Sequence, residues 1–391
     1  FGNGAAANAS RHAALRYSGS SRRAKGGKAR GAASSMTGML ESCGKIERRI
    51  IALERTELPE RLERLTAWLH SALPAALIDL KPASADASFR RYFRARTASG
   101  SYIVMDAPPE HEDCTPFIHV ARLFRAAGAN APEILAENLN DGFLLLSDFG
   151  DTTYLAALEA DATRADHLYR DANATLIRIQ LASRPDELPP YDEALLTREL
   201  RLFPDWYLSH HLGVSLDDAQ QATLESTFKA ILANNLAQPR VYVHRDWHSR
   251  NLMLTDANNP GVLDFQDAVH GPITYDLVSI YKDAYIRWDE ERVLDWLVRY
   301  WEAARKAGLP VHADFGEFYR DFEWMGVQRH IKVLGIFARL CHRDGKTGYL
   351  KDMPLVMDYL RKACARYNGL GDFLRLLDAI EGKQAAVGYT F

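Results

Sequence analysis

The chain has 391 residues, of which 47% are hydrophobic and 25% charged, and its formal net charge at pH 7 is −3. This is an ordinary composition for a soluble folded protein, and the length allows two lobes or two domains. A charge so close to zero argues against nucleic-acid binding and against a membrane-surface role. No run of about 18 apolar residues predicts a membrane span. The four cysteines show neither CxxC nor zinc spacing, as expected of incidental thiols in the reducing cytoplasm.

The N-terminal region differs from the rest of the chain. Residues 1–35 contain seven Lys or Arg, no Asp or Glu, and many Ala, Ser and Gly. Such a segment buries too little apolar surface to fold alone, so we predict a disordered basic tail over residues 1–50. It lacks the apolar core of a secretory signal, although its composition also occurs in organellar transit peptides. Because Met36 and Met39 follow, we favour a translated upstream region or cloning remnant.

Short strand patterns follow the tail. Apolar residues spaced at 58, 62, 65, 69 and 73 predict a helix that Pro74 ends. Alternation and turn residues predict three strands, at 88–96, 101–105 and 143–146, and one helix, at 115–128. We therefore predict a small β-rich N-lobe over residues 55–148.

Beyond residue 149 the pattern is mainly helical. Helices are predicted at 163–181, 192–212, 217–235, 288–307, 314–340 and 353–366. A short β island interrupts them, with strands at 241–243, 252–254 and 261–263. The fold class is therefore α+β and two-lobed, with a larger helical C-lobe over residues 149–391 that contains the island.

The segment 244–264 carries residues suited to phosphoryl transfer. It contains His244-Arg245-Asp246, then Asn251 five residues after the aspartate, and Asp264 at the end of a later strand. Transfer of a phosphoryl group to an alcohol requires a carboxylate beside the attacking hydroxyl and oxygen ligands for nucleotide-bound magnesium. The strand–loop–strand–turn–strand order should bring these side chains to one cleft. By the H-R-D-x-x-x-x-N pattern of kinases, we predict Asp246 as catalytic base and Asn251 and Asp264 as Mg²⁺ ligands.

Two other histidine-containing patterns are weaker. The triplet His342-Arg343-Asp344 has Tyr349 at the asparagine position and no flanking strand, so we interpret it as non-catalytic. A zinc site at His244 and His248 is disfavoured, because they lie in a loop and no HExxH glutamate is present. A hydrogen-bonding role in shaping the loop is the better interpretation.

At these residues the chain resembles the aminoglycoside phosphotransferase family. The run Gly271-Pro272-Ile273-Thr274-Tyr275-Asp276-Leu277 after Asp264 strengthens the resemblance. It implies a protein-kinase-like fold that uses ATP and Mg²⁺, with Asp276 and His244 supporting the catalytic loop.

A closer resemblance is to bacterial cell-wall sugar kinases, which phosphorylate the anomeric hydroxyl of N-acetylmuramate and N-acetylglucosamine. It spans about residues 60–370, with matching stretches at 85–94, 102–109, 146–150, 244–251, 262–268, 335–340 and 343–346. It implies an enzyme that makes sugar 1-phosphates in peptidoglycan recycling.

The nucleotide site departs from the general kinase pattern. The loop 85–94 has no glycine, and the strand 101–105 has no lysine, so arginines, Lys81 or magnesium must neutralise the phosphates. An alternative interpretation of the arginines is a solvated strand face. The cofactor-binding candidates in the loop, the adjoining strand and the hinge between lobes are Ser88, Phe89, Arg90, Arg94, Ser147 and Asp148.

Substrate-binding candidates come from the helical lobe. Trp206 could stack on a sugar face, Glu199 could bind hydroxyl groups, and Lys346 could pair with a lactyl carboxylate. His248, Arg343 and Asp344 are further candidates. For the helix around 199–210, an amphipathic surface helix is the alternative.

The expected partners are an amino sugar and ATP, without nucleic acid or membrane. An aminoglycoside or amino-alcohol phosphotransferase of the same family is the first alternative, and a nucleotide-binding pseudokinase is the second. The preferred sugar and the oligomeric state stay open.

Overall fold

The computed structural model describes residues 60–85 and 89–382. By its contacts the chain divides into Phe1–Ala67 and Trp68–Phe391. The tail predicted over residues 1–50 and the candidate Ser88 lie outside the described residues. Residues 60–72 form helix α1, in agreement with the predicted amphipathic pattern. None of the helices within the described ranges is long and apolar enough to cross a membrane.

A five-stranded antiparallel sheet follows, in the order β1-β2-β3-β5-β4. Its strands are β1 (Leu77–Ala85), β2 (Arg91–Thr97), β3 (Gly100–Asp106), β4 (Ile134–Asn138) and β5 (Phe143–Ser147). The sequence did not predict β1 or β4, which are the two edge strands. Pro82 interrupts the β1 pattern, and an edge strand tolerates proline because one side makes no ladder hydrogen bonds.

The turn before β5 requires glycine. Gly142 has φ +70°, and a Cβ at this position would lie 1.8 Å from the carbonyl oxygen of Ala107. This close approach pairs β5 with β3, so that Leu145 faces Val104 across the ladder. Four successive β5 residues, Phe143 to Leu146, are buried, as the apolar run predicts.

Helices make up most of the remaining chain. They are α2 (Thr115–Ala126), α3 (Tyr154–Ala160), α4 (Ala165–Leu181), α5 (Glu193–Leu202), α6 (Asp218–Ala237), α7 (Tyr275–Tyr281), α8 (Glu290–Ala307), α9 (Phe315–His342), α10 (Met353–Arg366) and α11 (Gly371–Ile380). Short 3₁₀ turns occupy Ala162–Arg164, Thr347–Asp352 and Asn368–Leu370. The α+β class predicted from the sequence is confirmed.

Helix α9 is the central helix of the helical part, packing against α5, α7 and α10. Most of its residues from Phe322 to Ala338 are buried. At Gly335 its backbone approaches α5 so closely that a Cβ would lie 2.4 Å from the carbonyl carbon of Leu202. This glycine therefore sets the distance between the two helices.

The helix predicted over 192–212 divides into two parts. After α5, residues Phe203–His211 form a π-helix, with the Leu212 N–H donating to the Tyr207 carbonyl at 3.0 Å. Pro204 has no N–H to donate to Leu200, so the regular α-helical ladder cannot continue through it. The wider hydrogen-bond spacing follows from that interruption.

The predicted β island is two separate strand pairs. Strand β6 (Arg240–Val243) pairs with β9 (Val269–Pro272), which the sequence did not predict. Strands β7 (Leu252–Met253) and β8 (Gly261–Val262) pair with each other. The predicted hairpin between 252 and 263 is correct, but β6 does not join it.

Candidate active site

One buried carboxylate holds the loop between β6 and β7. Asp276, at the start of α7, accepts the backbone N–H of His244 at 2.7 Å and of Arg245 at 3.0 Å. Burial raises the pKa of Asp276 to about 7, although both N–H groups act in the opposite direction. Arg245 has φ +76°, a strained conformation for a residue with a side chain. The two hydrogen bonds stabilise this sharp turn.

The structure brings Asp246, Asn251 and Asp264 together. The Asn251 amide nitrogen donates to the backbone carbonyl of Asp246 and to the Asp264 carboxylate, each at 3.0 Å. The other Asp264 oxygen accepts the amide of Gln266 at 2.8 Å. Asp264 also has a left-handed backbone, with φ +60°. Strain of this kind in a polar cleft is typical of functional sites.

These donors suit magnesium. Asp264 offers a carboxylate, and the hydrogen bonds of Asn251 engage its nitrogen, which leaves the amide oxygen as a ligand. Across residues 60–85 and 89–382, no group of three or more His, Cys, Asp or Glu forms a metal site. A site with one carboxylate and one amide oxygen leaves the other positions to phosphate and water, which is how Mg²⁺ is usually bound.

His244 connects the two halves of this cluster. Its Nδ1 accepts the backbone N–H of Asp246 at 3.2 Å, and its Nε2 lies 2.9 Å from the carbonyl of Leu263. These partners assign a neutral ring with the proton on Nε2. Burial lowers the pKa of His244 to about 4, so the ring stays neutral. One imidazole thus links the residue before Asp264 to the backbone of Asp246.

Aromatic packing holds Asp264 against the sheet side of the molecule. Phe265 is fully buried, and its ring lies 4.8 Å from that of Phe117 and 5.9 Å from that of Phe124. Both partners belong to α2. Helix α2 therefore helps to position the predicted metal ligand, a role that its apolar spacing alone does not indicate.

The rest of the loop is held by a second buried carboxylate. Asp283 accepts both the backbone N–H of Ser249, at 2.9 Å, and its hydroxyl, at 2.5 Å. Trp247 and Ser249 are buried, whereas His248 is partly exposed and Arg250 is exposed. Sequence reasoning missed Asp283, because only the folded chain brings it to the loop.

A charged network lies behind Asp246. Glu199, only 4% exposed, is 2.5 Å from Arg245 and 3.0 Å from Lys332. Arg329, one turn before Lys332 on α9, donates to the carbonyl of Arg245 at 2.8 Å and lies 3.8 Å from the Asp246 carboxylate.

The network keeps Asp246 charged. Its side chain is 39% exposed, and it is the exposed member of this cluster. Burial acts to raise the pKa of Asp246, but the charges of Lys332 and Arg329 outweigh burial and hold the pKa below its usual range. The kinase pattern has its lysine on a strand, so the sequence-based prediction assigned no residue of α9 to the site. The available signal was two cations three residues apart on the apolar part of that helix.

The nucleotide-binding candidates lie in and beside the sheet, and the arginines among them are paired. Arg90 lies 3.1 Å from Glu112, and Arg94 donates to Asp148 at 2.7 Å. The N–H of Phe89 also bonds to Glu112, at 3.2 Å, while its ring stacks on His111. The structure therefore joins two candidates, Arg94 and Asp148, to each other.

Ser147 occupies the end of β5. Its hydroxyl accepts the backbone N–H of Glu133 at 2.9 Å, which ties the end of β5 to the segment before β4. Lys81 is exposed and pairs with Asp79 at 2.7 Å. Neither contact is with the loop 244–251.

Of the substrate-binding candidates, the structure brings only His248 and Glu199 to the loop. Glu199 lies in the buried network rather than on a surface. Trp206 stacks on His210, with ring centroids 4.6 Å apart, in the π-helix. Arg343 and Asp344 pair with each other at 2.7 Å just after α9. The second His-Arg-Asp triplet therefore begins at a helix end rather than in a strand-bounded loop.

The protein-kinase-like fold predicted from the sequence is confirmed by its similarity to solved structures. It is similar to choline kinase LicA from Streptococcus pneumoniae, with TM-score 0.55 and 12% identity, over 79% of this chain and 100% of that one. It is also similar to the ADP-bound aminoglycoside phosphotransferase APH(2'')-Ib, with TM-score 0.51 and 15% identity, over 77% and 97% of the two chains. These likenesses show the fold.

The sequence comparisons are more specific. Residues 79–315 match the APH phosphotransferase enzyme family. Over 336 residues the chain is 49% identical to an N-acetylmuramate/N-acetylglucosamine kinase of Pseudomonas aeruginosa, covering 83% of this chain and 98% of that protein. A kinase of the same name from Neisseria meningitidis is 47% identical, over 85% and 100%. The chain belongs to the APH phosphotransferase family, as its motifs indicate.

Proposed function

We propose that this protein is an ATP- and Mg²⁺-dependent kinase that phosphorylates the anomeric hydroxyl of N-acetylmuramate and N-acetylglucosamine. The observation that carries the proposal is the convergence of Asp246, Asn251 and Asp264 around one imidazole. The names of the similar kinases support the choice of sugar. A cytoplasmic role in peptidoglycan recycling follows from such a substrate.

In this proposal Asp246 receives the acceptor. Its carboxylate is ionised and partly exposed, so it can accept a hydrogen bond from the sugar C1 hydroxyl. Its proton affinity is low, so it first orients the hydroxyl by accepting a hydrogen bond. It takes the proton only as the new O–P bond forms. Before the reaction, Arg329 and Lys332 compensate the negative charge of Asp246. The distance of these two cations from the Asp246 carboxylate sets the basicity of that carboxylate.

The proposal places the nucleotide phosphates beside Asn251 and Asp264. Mg²⁺ bound there would neutralise charge on the transferred phosphoryl group. The Asn251 amide holds the Asp264 carboxylate in place, and Gln266 fixes its second oxygen. The adenosine part belongs to the sheet side, in the N-lobe predicted over residues 55–148, and the sugar to the helical side, over 149–391.

An ADP-release assay on a panel of acceptors tests the function. Purified protein is given ATP and Mg²⁺ with N-acetylmuramate, N-acetylglucosamine, kanamycin or choline, and the product is identified by ³¹P NMR. We expect ADP release with the two amino sugars and a phosphate on C1. Turnover with kanamycin or choline only would make the chain an aminoglycoside or amino-alcohol phosphotransferase. Binding of ATP without turnover of any acceptor would make it a pseudokinase.

The base is tested in the same assay with Asp246→Asn. Loss of the proton acceptor should lower kcat by at least roughly 100-fold, with ATP binding retained. Asp256→Asn is a matched control, because Asp256 is exposed in the turn between β7 and β8. Full activity of the Asp246→Asn protein would rule out the assigned role.

A further inference from the structure

Arg250 is an exposed cation in the middle of the proposed active site. It immediately precedes Asn251, yet the two side chains diverge. Asn251 bonds to Asp264, whereas the Arg250 guanidinium lies 4.6 Å from the ring centroid of Tyr285, in the segment between α7 and α8. No carboxylate within residues 60–85 and 89–382 lies in ion-pair distance of Arg250. Its charge is therefore available to a ligand.

Aromatic side chains hold this guanidinium in place. The ring of Phe337 lies 6.3 Å from that of Tyr285 and 5.1 Å from that of Tyr349, so the three form a continuous wall. Partial burial acts to lower the pKa of Arg250, but the hydroxyl groups of Tyr285 and Tyr349 outweigh it and raise the pKa. A cation held by aromatic stacking loses less side-chain freedom when it binds an anion.

The loop keeps Arg250 close to Asp246. His248 N–H donates to the Asp246 carbonyl at 2.9 Å, and Asn251 N–H donates to the His248 carbonyl at 3.0 Å. These two tight turns make the loop compact, and the backbone N–H of Ser249 donates to the Asp283 carboxylate. Arg250 therefore follows Asp246 within one compact loop.

We infer that Arg250, with Tyr285 and Tyr349, forms an anion subsite that binds the lactyl carboxylate of N-acetylmuramate while its C1 hydroxyl lies at Asp246. The inference rests on the proposed function. The two sugars differ by this lactyl ether, which is carried on the oxygen of C3, two carbons along the ring from C1. A planar guanidinium binds a carboxylate through two parallel hydrogen bonds. The subsite would be left without an anion when the substrate is N-acetylglucosamine.

The other cations near the cleft are less suited to this role. Arg343 is paired with Asp344. Lys346 lies beyond the end of α9, where its backbone N–H donates to the carbonyl of Leu340. Asp352 is near enough to Arg250 for their charges to interact, but the two are not ion-paired.

The test measures the ratio of KM for N-acetylmuramate to KM for N-acetylglucosamine in the wild-type protein and in Arg250→Gln. A lost charged hydrogen-bond pair should increase this ratio by roughly 10- to 100-fold. Arg250→Lys, which retains charge without the planar fork, should give an intermediate ratio. Lys346→Gln makes the same change of charge and tests the rival candidate for the lactyl carboxylate; its ratio should stay at the wild-type value.

The methyl ester of N-acetylmuramate separates charge from shape. Its KM relative to that of N-acetylglucosamine should not respond to Arg250→Gln. An unchanged N-acetylmuramate ratio in Arg250→Gln, or an increased ratio in Lys346→Gln alone, would overturn the subsite. If the wild-type protein phosphorylates neither sugar, the proposed function itself fails, so the two failures are distinct.

Discussion

The buried carboxylate of Glu199 shows how much of this site is electrostatic support. Its oxygens accept from Tyr191, Arg245 and Lys332, so two buried or half-buried cations depend on one anion. Removal of one member of a buried ionic network leaves the others uncompensated, which costs more than the loss of a surface pair. Glu199, which was predicted to bind substrate hydroxyl groups, therefore lies in the environment of a residue that stabilises the fold.

Glu199→Gln tests this environment through stability. We expect the free energy of unfolding to fall by about 3–5 kcal/mol, measured by chemical denaturation. Glu225→Gln is the control, because Glu225 pairs with Arg201 at the surface and should cost at most about 1 kcal/mol. Equal losses in the two variants would contradict the assignment.

Asp276 makes stability depend on pH. Its pKa is about 7 in the folded protein, well above the ordinary aspartate value. A carboxyl group whose pKa is raised by folding stabilises the protein fully below its unfolded pKa, and this contribution is lost as the pH rises through 7. Relative to Asp276→Asn, the wild-type protein should therefore lose stability between about pH 4 and pH 7.

Denaturation curves at several pH values check this expectation. The quantity of interest is the change with pH of the stability difference, since the substitution also alters the two backbone hydrogen bonds at every pH. A stability difference that does not vary between pH 4 and pH 7 would show that Asp276 is ionised throughout.

Among the elements, helix α9 depends on one close contact. Gly335→Ala would place a Cβ 2.4 Å from the Leu202 backbone, which cannot move like the end of a flexible side chain. We expect a loss of about 1–3 kcal/mol in the free energy of unfolding and a drop in kcat, because α9 carries Arg329 and Lys332.

The same helix supplies the control. A Cβ at Gly326 would have its nearest neighbour at 3.6 Å, which is ordinary contact. Gly326→Ala should therefore be neutral or stabilise by up to about 1 kcal/mol, as alanine does in a helix. Destabilisation of similar size at both positions would mean that helix packing, rather than this contact, is being measured.

The elements found from the sequence have long or regular patterns, and those missed are short. The periodicity around α9 and the apolar run of β5 are strong local signals. Strand β9 contains glycine and proline and pairs with β6 across some thirty residues, so local preference cannot reveal it. The π-helix follows from Pro204. The prediction of one continuous helix over 192–212 took no account of this proline.

The part of the site that could be predicted consists of residues that lie close together in the sequence. Asp246, Asn251 and Asp264 all lie within the short segment 244–264, so their spacing predicts that they meet. Lys332, Arg329 and Asp283 reach the loop from α9 and from the end of α7, and no local pattern assigns them to it. Their contribution depends on packing between distant parts of the chain.

In the molecule as a whole, Arg94 connects the sheet to the segment that leads into the helices. It donates to Asp148 and to the carbonyl of Gly150, and Asp148 also accepts the hydroxyl of Ser101. These bonds hold the exit of β5 against β2 and β3. In the proposed function, the relative position of nucleotide and acceptor depends on this crossing.

Arg94→Gln should therefore affect the nucleotide more than the sugar. We expect KM for ATP to rise roughly 5- to 10-fold, equivalent to about 1 kcal/mol, with a smaller change in KM for the sugar. Arg96→Gln, two residues further along the same strand and exposed, is the control. Steady-state kinetics with each substrate varied in turn distinguish a nucleotide effect from a general loss.

The ring of His244 has a consequence for how such an enzyme can diversify. It joins the backbone at Asp246 to the backbone before Asp264, so the spacing between the proposed proton acceptor and the proposed metal ligand is set by a rigid five-membered ring. Of the loop residues that follow, Trp247 and Ser249 are buried, His248 is partly exposed and Arg250 is exposed. In the proposed function, acceptor preference can therefore evolve at positions 248 and 250 while the reacting groups keep their spacing.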